Sequence, residues 1–484
     1  MVGANHVERA IVVEDPCPPH VLMRRLLAAF PEARRPFLLE SAGDHPVDGR
    51  WSFLGIDPHR TLRGYSDRAE STRFGPDGAA RRTTARQHPL DAFAAALAET
   101  ATTTPSDDGP PFRGGAVGAL AYDLGELIEP TAGSPEPFAD QPLLDMGFYS
   151  GVIAYDHASD VALAFATETP GAPDPIWIRD AAPLMARPST TADEYAAPPP
   201  VDMPISSAVG PEGYMKAVRA AKEYIAAGDV YQVNVAQEFL APHAGAPFDL
   251  YAALRHANPA PFAAFLDMGD RAIASSSPER FLRYDPRNRR IETKPIKGTR
   301  PRGGPEGEQA FYKAELLASA KDAAELVMIV DLERNDLGRI CEYGSVRVRA
   351  LREVEKFATV QHTVATIEGR VREGVDVSDI LRATFPGGSI TGAPKIRAMQ
   401  VIAELETARR GIYTGSLGYF DAGGAFDLNI AIRTIVARDG QASLWAGSGI
   451  VADSDPEEEY HETMGKASPL FAALGARECI PMSG

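Results

Sequence analysis

The sequence predicts an α+β protein in which sheets and helices form layers. Strand-like stretches occur in runs and pairs, and helical stretches stand between those runs instead of after every single strand. A doubly wound parallel sheet would need strict alternation of strand and helix along the chain. With 484 residues, 44% of them hydrophobic and 24% charged, the chain is long enough for two or three globular units with buried cores.

In the first part of the chain, three segments have the composition of strands and one is rich in alanine. The predicted strands are RPFLLESA at 35–42, FYSGVIAYD at 148–156 and DVALAFATE at 160–168. The alanine-rich segment PLDAFAAALAETA at 89–101 predicts a helix. The segment Thr100–Gly115, which contains several Pro and Gly residues, predicts an exposed loop.

In the second part, three longer segments combine both element types. Residues 211–242 predict a helix that ends at Gly228 and a strand that follows it. Residues 321–339 predict a buried helix, and residues 444–474 predict a strand, a loop and a further helix. Two of these three helices, those within 321–339 and 444–474, carry closely spaced acidic residues.

Residues 186–213 are rich in Pro, Ala, Ser and Thr, and their lack of periodicity predicts a linker or a loop. This segment divides the chain into an N-terminal region, 1–185, and a C-terminal region, 214–484. We expect the chemistry to lie in the C-terminal region, because it contains the acidic helices and the glycine-rich loops.

The chain carries 49 basic and 66 acidic residues, which gives a formal net charge of −17. This charge repels nucleic acid and anionic membranes, so we expect neither as a partner. The three cysteines, Cys17, Cys341 and Cys479, have no disulfide or thiolate-metal spacing. The N-terminus does not have the pattern of a signal peptide, and no apolar run is long enough to cross a bilayer. These observations together predict a cytoplasmic protein.

Two predicted helices carry acidic residues three positions apart, a spacing that puts both on one helical face. The pairs are Asp322 with Glu325, beside an apolar run, and Glu459 with Glu462, one turn before Lys466. Carboxylates on the buried side of a helix are unfavourable unless they are paired or bind a metal. Facing each other, the two pairs would form an all-oxygen site that suits Mg²⁺. The alternative is a pair of solvated helix faces.

Two glycine-rich stretches predict backbone amides that could bind an anion. FPGGSITGAPK at 385–395 lies at the start of a predicted helix, but two residues break the phosphate-loop spacing before Lys395. Gly447 and Gly449 follow a predicted strand, where a tight turn would explain them equally well. A nucleotide-binding protein that uses the 387–395 loop is therefore an alternative from another functional class.

Three single residues have both a functional and a structural interpretation. Arg433 interrupts an alternating strand and suits a carboxylate ligand, although a solvent-facing arginine is commoner. His362 is either a site residue or a satisfied core histidine. Glu279 is either a catalytic acid or the ion-pair partner of Arg280 or Arg283.

Lys297 lies in the stretch PIKGT, where the surrounding chain is conformationally restricted. Pro295 fixes its own φ angle, and Gly298 permits φ values that other residues avoid. A lysine held in this way, with Arg300 and Arg302 nearby, suggests a nucleophilic amine. Only the neutral amine attacks, so the site would have to favour that form through burial or through those arginines.

The order of these motifs resembles that of the chorismate-utilising enzymes. From Gly228 to Lys466 the matching motifs are GDVYQVNVAQEF, SSSPERFL, PIKGT, DAAELVMIVDLERNDLGR, HTVATIEG, FPGGSITGAPK, IYTGSLGYF, NIAIRTI and AGSGIVADSDPEEEYHET. LLESAGDHPVDGRWSFLGIDP at 38–58 is similar to the N-terminal region of the amine-transferring members. The family includes component I of anthranilate synthase and of aminodeoxychorismate synthase, and the isochorismate and salicylate synthases.

The resemblance implies an α+β fold like that of anthranilate synthase component I. In that fold, two intertwined layers of antiparallel sheet form a sandwich, the helices lie outside, and the active site occupies the cleft between layers. The segment 186–213 would then be a loop instead of a domain boundary.

Within the family, a lysine in PIKGT resembles the aminodeoxychorismate branch, whereas the anthranilate branch has alanine at that position. The implied mechanism has Lys297 attack C2 of chorismate as the C4 hydroxyl leaves, with Glu279 as general acid. Ammonia then enters at C4 and expels the lysine, which gives 4-amino-4-deoxychorismate. Gln232 stands where the water-adding members carry a basic lysine, which favours amination over hydration.

The product would serve para-aminobenzoate and folate synthesis or a secondary metabolite. Enzymes of the same fold that make anthranilate or 2-amino-2-deoxyisochorismate are the alternatives. A further alternative is a catalytically idle subunit, but the intact acidic and lysine motifs argue against it.

The resemblance also implies three sets of ligand-binding residues. Glu325 and Glu462 would hold Mg²⁺ directly, and Asp322 and Glu459 would support it through water. The residues implied to contact chorismate are Gly298, Thr299, His362, Thr391, Tyr413, Arg433, Gly447, Ser448, Gly449 and Lys466. Ser41, Pro261 and Phe262 lie where relatives hold tryptophan as an inhibitor or structural ligand.

None of the three cysteines lies on a glycine-rich elbow of the kind that carries a glutaminase nucleophile. We therefore expect a separate glutamine amidotransferase subunit to supply the ammonia, with free ammonia as a poorer substitute.

Overall fold

The computed structural model describes residues 9–43, 48–102, 109–133, 138, 140–167, 169, 172–189, 205–302, 306–357, 360–476 and 479–481. The strands of the first half are β1 (Arg9–Glu14), β2 (Phe37–Glu40), β3 (Trp51–Gly55), β4 (Arg60–Gly64), β5 (Ala69–Phe74), β6 (Ala80–Ala85), β7 (Gly115–Leu120), β8 (Leu144–Tyr149), β9 (Gly151–Asp156), β10 (Val161–Ala166), β11 (Ile205–Ser207) and β12 (Gln232–Pro242). Those of the second half are β13 (Phe262–Asp267), β14 (Ala272–Ser277), β15 (Arg280–Asp285), β16 (Arg290–Lys294), β17 (Ile296–Pro301), β18 (Arg347–Lys356), β19 (Val360–Arg370), β20 (Gly392–Ala393), β21 (Ser416–Asp421), β22 (Phe426–Asn429), β23 (Thr434–Arg438), β24 (Gln441–Ile450) and β25 (Cys479–Pro481).

The helices stand between these strands, and the helices predicted at 89–101, 211–228, 321–339 and within 444–474 are among them. They are α1 (Pro19–Ala29), α2 (Pro89–Thr100), α3 (Leu124–Ile128), α4 (Trp177–Met185), α5 (Gly210–Ala226), α6 (Pro247–Ala257), α7 (Glu306–Ala318), α8 (Ala320–Gly338), α9 (Val377–Thr384), α10 (Lys395–Leu405) and α11 (Pro456–Ala473). In the described part of the chain, no helix combines the length and the apolar content that a membrane crossing requires.

The strands form two large sheets. The first has the order β1-β10-β9-β3-β2-β13-β14-β23-β24-β12-β11-β25, with β20 beside β12. The second has the order β17-β19-β16-β15-β22-β21-β7-β8-β4-β5-β6, with β18 beside β19. Apart from the short parallel pair β11–β25, the described strands pair antiparallel. The predicted α+β class and the antiparallel layers are confirmed.

Strands from the regions 1–185 and 214–484 are neighbours in both sheets. β2 pairs with β13 in the first sheet, and β7 pairs with β21 in the second. The two regions therefore share their sheets, as the implied intertwined layers require. Residues 190–204, most of the predicted linker, lie outside the described residues, and β11 and the start of α5 occupy its last part.

Aromatic side chains fill the space between the two sheets. Phe37 and Phe53 of the first sheet meet Tyr149 and Tyr419 of the second, with Phe112 among them and centroid separations of 4.6 to 6.3 Å. Burying each phenylalanine side chain contributes about 1.5–3 kcal/mol. Phe112 is 0% exposed, so the prediction that Thr100–Gly115 is an exposed loop is wrong at this residue. Residues 103–108 of that segment lie outside the described part of the chain.

Helices cover the outer faces of the sandwich. Buried side chains of α1, α4, α6 and α11 form one apolar cluster with the first sheet. On the other side, Phe93 of α2 packs edge-to-face on Phe420 of β21 at 4.8 Å. The helices therefore lie outside the two sheets, as expected from the family resemblance.

The chain passes between the sheets at two adjacent places, which we call the paired crossovers: Pro278–Glu279 and Ile430–Arg433. The first joins β14 to β15 and the second joins β22 to β23. The crossovers are joined by hydrogen bonds, because Ile430 N–H donates to the Glu279 carbonyl and Ser276 N–H to the Arg433 carbonyl, each at 3.0 Å. Two candidate site residues, Glu279 and Arg433, are thereby fixed at the boundary between the layers.

Two strand predictions are wrong at places where the chain changes sheets, one in the second paired crossover and one at Ser150. Arg433 has a φ of +51° and lies in the crossover between the end of β22 at Asn429 and the start of β23 at Thr434, so it does not lie within an alternating strand. The run 148–156 is two strands, because the chain leaves the second sheet at Tyr149 and enters the first at Gly151.

Candidate active site

Lys297 lies on β17 and its side chain points to the glycine-rich loop 385–395. Its Nζ donates a hydrogen bond to the carbonyl of Ser389 at 3.2 Å. The backbone carbonyl of Lys297 accepts a hydrogen bond from the Thr363 hydroxyl. The next residue, Gly298, has a φ of +69°, and a Cβ there would come within 3.0 Å of the Asp322 carboxyl carbon. The lysine is therefore held by its neighbours on both sides.

Glu279 lies beside Lys297 in the buried first crossover. Its side chain accepts a hydrogen bond from the Ile296 N–H at 3.4 Å and lies near the side chain of Ser389. Burial raises the pKa of this carboxyl, while the Ser389 side chain and the charge of Lys297 lower it in part. The alternative that Glu279 pairs with Arg280 or Arg283 is wrong, because both arginines form ion pairs with other carboxylates.

The two arginines near Lys297 in sequence are engaged elsewhere. Arg300 lies 2.8 Å from Glu315 and 3.4 Å from Asp322, and Arg302 donates to the carbonyl of Phe357 at 2.5 Å. The charged groups that interact with Lys297 are the carboxyls of Glu279, Glu325 and Glu462, whose pKa values its positive charge lowers. The environment of the lysine is thus acidic, and it does not support the suggestion that Arg300 and Arg302 favour the neutral amine.

The two acidic pairs, on α8 and α11, face each other. The charges of Asp322 and Glu462 add to burial in raising the pKa of Glu325. Glu459 is buried and accepts a hydrogen bond from the Ser454 hydroxyl at 2.7 Å. Glu462 lies 2.7 Å from Lys466, and this ammonium lowers its pKa.

These carboxylates fit a hard cation in the chemistry of their oxygen atoms. Among the described residues, Glu325 has no hydrogen bond or ion pair, and Asp322 Oδ2 is buried without a hydrogen-bond donor. No three His, Cys, Asp or Glu side chains of the described chain are already close enough to form a metal site. Carboxylates that lie close enough to raise the pKa of one another are the donors that Mg²⁺ would bind.

Replacing Glu325 with glutamine is expected to stabilise the metal-free protein and to weaken Mg²⁺ binding. The amide removes a charge that Asp322 and Glu462 repel, and it removes one negatively charged ligand. Calorimetric titration should show at least about tenfold weaker Mg²⁺ binding, and Mg²⁺ should raise the melting temperature of the parent protein only.

Glu458→Gln is the matched control, since Glu458 is exposed one residue away from Glu459 on α11. Mg²⁺ binding that is equally tight in Glu325→Gln and in the parent protein would remove Glu325 from the metal site.

Cationic and phenolic groups gather beside β24. Tyr413 stacks on Trp445 of β24 at 5.8 Å, and burial raises its pKa to about 12, so the phenol keeps its proton at neutral pH. The Arg433 side chain faces Tyr413, and burial lowers its pKa. Two residues beyond Trp445 on the same face of β24, the Gly447 carbonyl accepts a hydrogen bond from Lys466 at 3.0 Å. The predicted carboxylate ligands Tyr413, Arg433 and Lys466 therefore border one stretch of β24.

The end of β24 has an open edge. Its pairing with β12 continues to Ile450, but its pairing with β23 stops at Leu444. Alternate N–H groups after Leu444 therefore point away from β12 and are available to an anion. Gly447 permits the close approach of β12, because a Cβ there would lie 2.3 Å from the Val235 carbonyl. The Ser448 side chain points away from this edge and bonds to the Tyr214 hydroxyl at 2.9 Å.

Thr299 lies on the lysine strand β17, and His362 lies opposite it on the neighbouring strand β19. His362 Nδ1 is 2.9 Å from the Thr299 hydroxyl and 3.2 Å from the Gly298 carbonyl. Thr391 is fully buried, and its hydroxyl donates to the Gly387 carbonyl at 3.0 Å. The structure thus shows Thr391 closing its own loop, and its contact with a substrate ring stays a prediction.

Gln232 is 0% exposed at the start of β12, and its Oε1 has no donor among the described residues. Its side chain lies beside Gly449, where a Cβ would approach Nε2 to 2.8 Å. The nucleotide-binding alternative would need a free lysine after the loop 385–395. Lys395 instead forms an ion pair with Asp336 at 2.5 Å, so its positive charge is already balanced by a carboxylate and does not favour a phosphate.

Glu333 is a buried carboxyl behind the site that the sequence did not single out. It faces inward from α8 and accepts a hydrogen bond from the Thr293 hydroxyl at 2.9 Å. Burial raises its pKa to about 8, and the charges of Glu279 and Asp336 contribute. Its position eight residues after Glu325 on the same helix is the signal that could have identified it.

Replacing Glu333 with glutamine is expected to remove a pH-dependent loss of stability. The folded state holds the carboxyl protonated up to about pH 8, whereas the unfolded chain releases the proton above about pH 4.3. Stability therefore falls between those values as pH rises, by up to about 1.4 kcal/mol per pH unit. Urea unfolding of both proteins at several pH values measures the difference, and parallel curves would contradict the assignment.

The residues of the implied tryptophan pocket lie together, away from the lysine. Ser41, Pro261 and Phe262 line one cavity of about 560 Å³, to which none of the residues predicted to touch chorismate contributes. The Ser41 hydroxyl donates to the Trp51 carbonyl at 3.0 Å. Tryptophan binding in this cavity stays a prediction.

Three residues of the site are close in sequence to predicted residues but were not themselves predicted. Ser389 lies inside the loop 385–395 that was singled out for its glycines. Asn234 and Trp445 each stand two residues from a recognised position, Gln232 and Gly447, on the same strand. The period of two along a strand is the signal that could have found the last two.

The same chain is similar to known proteins over nearly its whole length. Residues 35–472 match the family described as chorismate binding enzyme. The chain is 37% identical over 457 residues to aminodeoxychorismate synthase component 1 of Bacillus subtilis (strain 168), which covers 91% of this chain and 92% of that protein. It is 36% identical over 465 residues to anthranilate synthase component 1 of Geobacillus stearothermophilus, covering 93% and 90% of the two chains.

Among solved structures, anthranilate synthase component I from Streptococcus pneumoniae TIGR4 superposes with a TM-score of 0.72. The two share 31% identity, over 88% of this chain and 93% of that one. The shared sandwich and the matched residues 35–472 lead to one conclusion. This chain belongs to the chorismate binding enzyme family.

Proposed function

We propose that the protein converts chorismate and ammonia to 4-amino-4-deoxychorismate. The observation that carries the proposal is the arrangement of Lys297, whose amine reaches the loop carbonyl of Ser389 beside the buried acid Glu279. A nucleophile next to a carboxyl whose pKa is raised by burial is the pair that the substitution needs. Relatives named aminodeoxychorismate synthase component 1 support the assignment.

In the first step, the neutral amine of Lys297 forms a bond to C2 while the bond between C4 and its hydroxyl breaks. Glu279 donates its proton to the departing oxygen, which leaves as water, and the lysine nitrogen carries the positive charge of the adduct. In the second step, ammonia bonds to C4 and the bond between C2 and the lysine nitrogen breaks. The amine of Lys297 is neutral again, and the proton lost by the incoming nitrogen returns to Glu279.

The anionic groups of chorismate are assigned to the two sides of the cleft. The enolpyruvyl carboxylate would be bound by Tyr413 and Arg433, which face each other without a carboxylate partner between them. The ring carboxylate would lie at the open edge of β24. Mg²⁺ held by Glu325 and Glu462, with Asp322 and Glu459 behind them, would supply the positive charge that this carboxylate needs.

Ammonia would come from a separate glutamine amidotransferase subunit. Cys17 and Cys341 are both buried, and their surroundings do not form the exposed elbow that a glutaminase nucleophile requires. The names of relatives as component 1 are consistent with a two-subunit enzyme.

Anthranilate synthesis is the second candidate, because relatives of similar identity carry that name. The family resemblance places alanine at the position of Lys297 in that branch, and the presence of the lysine favours amination at C4.

The deciding experiment is product identification by mass spectrometry after incubation of the purified chain with chorismate, Mg²⁺ and ammonium. We expect 4-amino-4-deoxychorismate and no pyruvate. Anthranilate with an equal amount of pyruvate would instead establish the second candidate. Glutamine in place of ammonium should give no product with the single chain, and product formation from glutamine would contradict the separate subunit.

A further inference from the structure

Ser389 contacts both groups to which the chemistry is assigned. Its side chain lies near the Glu279 carboxyl and lowers the pKa of that group, and its backbone carbonyl accepts the hydrogen bond from Lys297 Nζ at 3.2 Å. The residue is 5% exposed, so solvent does not compete for either contact. One short residue therefore links the acid to the amine.

Asn234 of β12 holds Ser389 in place. Its Nδ2 donates to the same Ser389 carbonyl at 2.9 Å, and its backbone N–H donates to the Thr391 carbonyl at 2.8 Å. The Thr391 hydroxyl in turn donates to the Gly387 carbonyl at 3.0 Å. The loop is thus attached to β12 of the first sheet by both the backbone and the side chain of one asparagine.

We propose that Ser389 is a positioning residue that fixes the separation and orientation of the Glu279 carboxyl and the Lys297 amine, and that Asn234 holds Ser389. This inference rests on the proposed function. A carbonyl oxygen has two lone pairs, and here Asn234 and Lys297 use one each. A neutral amine that donates one N–H to this carbonyl directs its own lone pair away from the carbonyl, which is the orientation that attack on a ring carbon needs.

Holding two reacting groups in a fixed geometry accounts for a large part of many enzymatic rate enhancements. In this site, the acid must protonate the oxygen on C4 while the amine reaches C2 of the same ring. Their separation must therefore match the substrate. The loop can provide this match because its carbonyl and its serine hydroxyl belong to the same residue.

The test is Ser389→Ala, measured by product formation from chorismate and ammonium across a range of pH. We expect kcat to fall by roughly 10- to 100-fold while KM for chorismate stays within about threefold. Glu279 faces Lys297 and Glu333 as charged neighbours, and the Ser389 side chain lowers the pKa of Glu279. The limb of declining rate at high pH should therefore move to higher pH in the variant.

Ser416→Ala is the matched control, because this serine is also fully buried and its hydroxyl has no partner among the described residues. Its kcat and pH profile should equal those of the parent protein. Ser389→Cys keeps a side chain of similar size with a weaker donor, and it should fall between the parent and Ser389→Ala. This second variant preserves the test if the alanine variant folds poorly.

Asn234→Ala and the double variant test the role of the asparagine. Asn234→Ala frees the Ser389 carbonyl, and Ser389→Ala removes the hydroxyl near Glu279. Because both changes disturb the geometry of the same acid–amine pair, we expect kcat of the double variant to lie within about twofold of kcat of the slower single variant. Fully multiplicative losses would show that the two residues act independently and would overturn the proposal. An unchanged pH profile and a kcat within about twofold of the parent in Ser389→Ala would overturn it as well.

The identity of the parent protein's product tests the proposed function, whereas the ratio of variant to parent rates tests Ser389. The two can therefore fail separately.

Discussion

Replacing Lys297 with alanine is expected to reduce 4-amino-4-deoxychorismate formation by about a thousandfold or more. Without the amine no bond to C2 can form, and the covalent route that divides the substitution into two steps is lost. The remaining groups still bind chorismate, so a residual affinity should persist although turnover does not. Mass spectrometry of the product and titration of chorismate binding separate these two effects.

Lys297→Arg keeps the positive charge near Glu325 and Glu462 but offers no nucleophilic amine, and it should be as inactive as the alanine variant. Lys313→Ala is a control on the exposed face of α7 and should retain full activity. Full product formation in either Lys297 variant would exclude this residue as the nucleophile.

Replacing Glu279 with glutamine is expected to lower kcat by about 10²- to 10⁴-fold, the range found for the loss of a general acid. The amide has nearly the same shape and keeps the bond from Ile296 N–H, but it has no proton to give to the leaving hydroxyl. KM for chorismate should change little. Steady-state kinetics on the two proteins measure both quantities.

The pH profile supplies a second readout for Glu279. Burial raises its pKa, so the protonated form persists to higher pH than in an exposed glutamate and is lost as pH rises further. The high-pH limb that this loss produces should be present in the parent protein and absent from the residual activity of Glu279→Gln. An exposed glutamate of β18, Glu353, provides the matched control Glu353→Gln.

The sequence predicts the fold class because runs of strands separated by helices do not depend on long-range contacts. It does not predict which sheet a strand joins. The run 148–156 has one composition throughout, yet the chain changes sheets at Ser150. Periodicity reports how a strand divides its side chains between two faces, and both sheets bury such a strand equally well.

The difference between local patterns and long-range contacts also explains which features of the site could be predicted. Lys297, Glu279 and the two acidic helices were identified from motifs, and the structure places them together. The surroundings of Lys297 were not predictable, because Arg300 and Arg302 have partners on other elements, Glu315 and the carbonyl of Phe357. Partners that are distant in sequence leave no pattern near the residue itself.

Ser389 illustrates the limit more closely. In the sequence it is a small residue between glycines, and its composition indicates only a loop. Its two functional contacts come from a backbone carbonyl and from a hydroxyl, and a backbone carbonyl is present at every residue. Only the position of Asn234, 155 residues earlier, gives that carbonyl its role.

The pairing of β7 with β21 has a consequence for how the polypeptide is made. Residues 115–120 leave the ribosome long before residues 416–421, their partners, exist. Until then, the nascent chain exposes an apolar strand edge that invites pairing with other chains. We infer that the second sheet is completed only after residues 416–421 have been synthesised, and that chaperones which shield strand edges increase the yield of folded protein without changing its stability once folded.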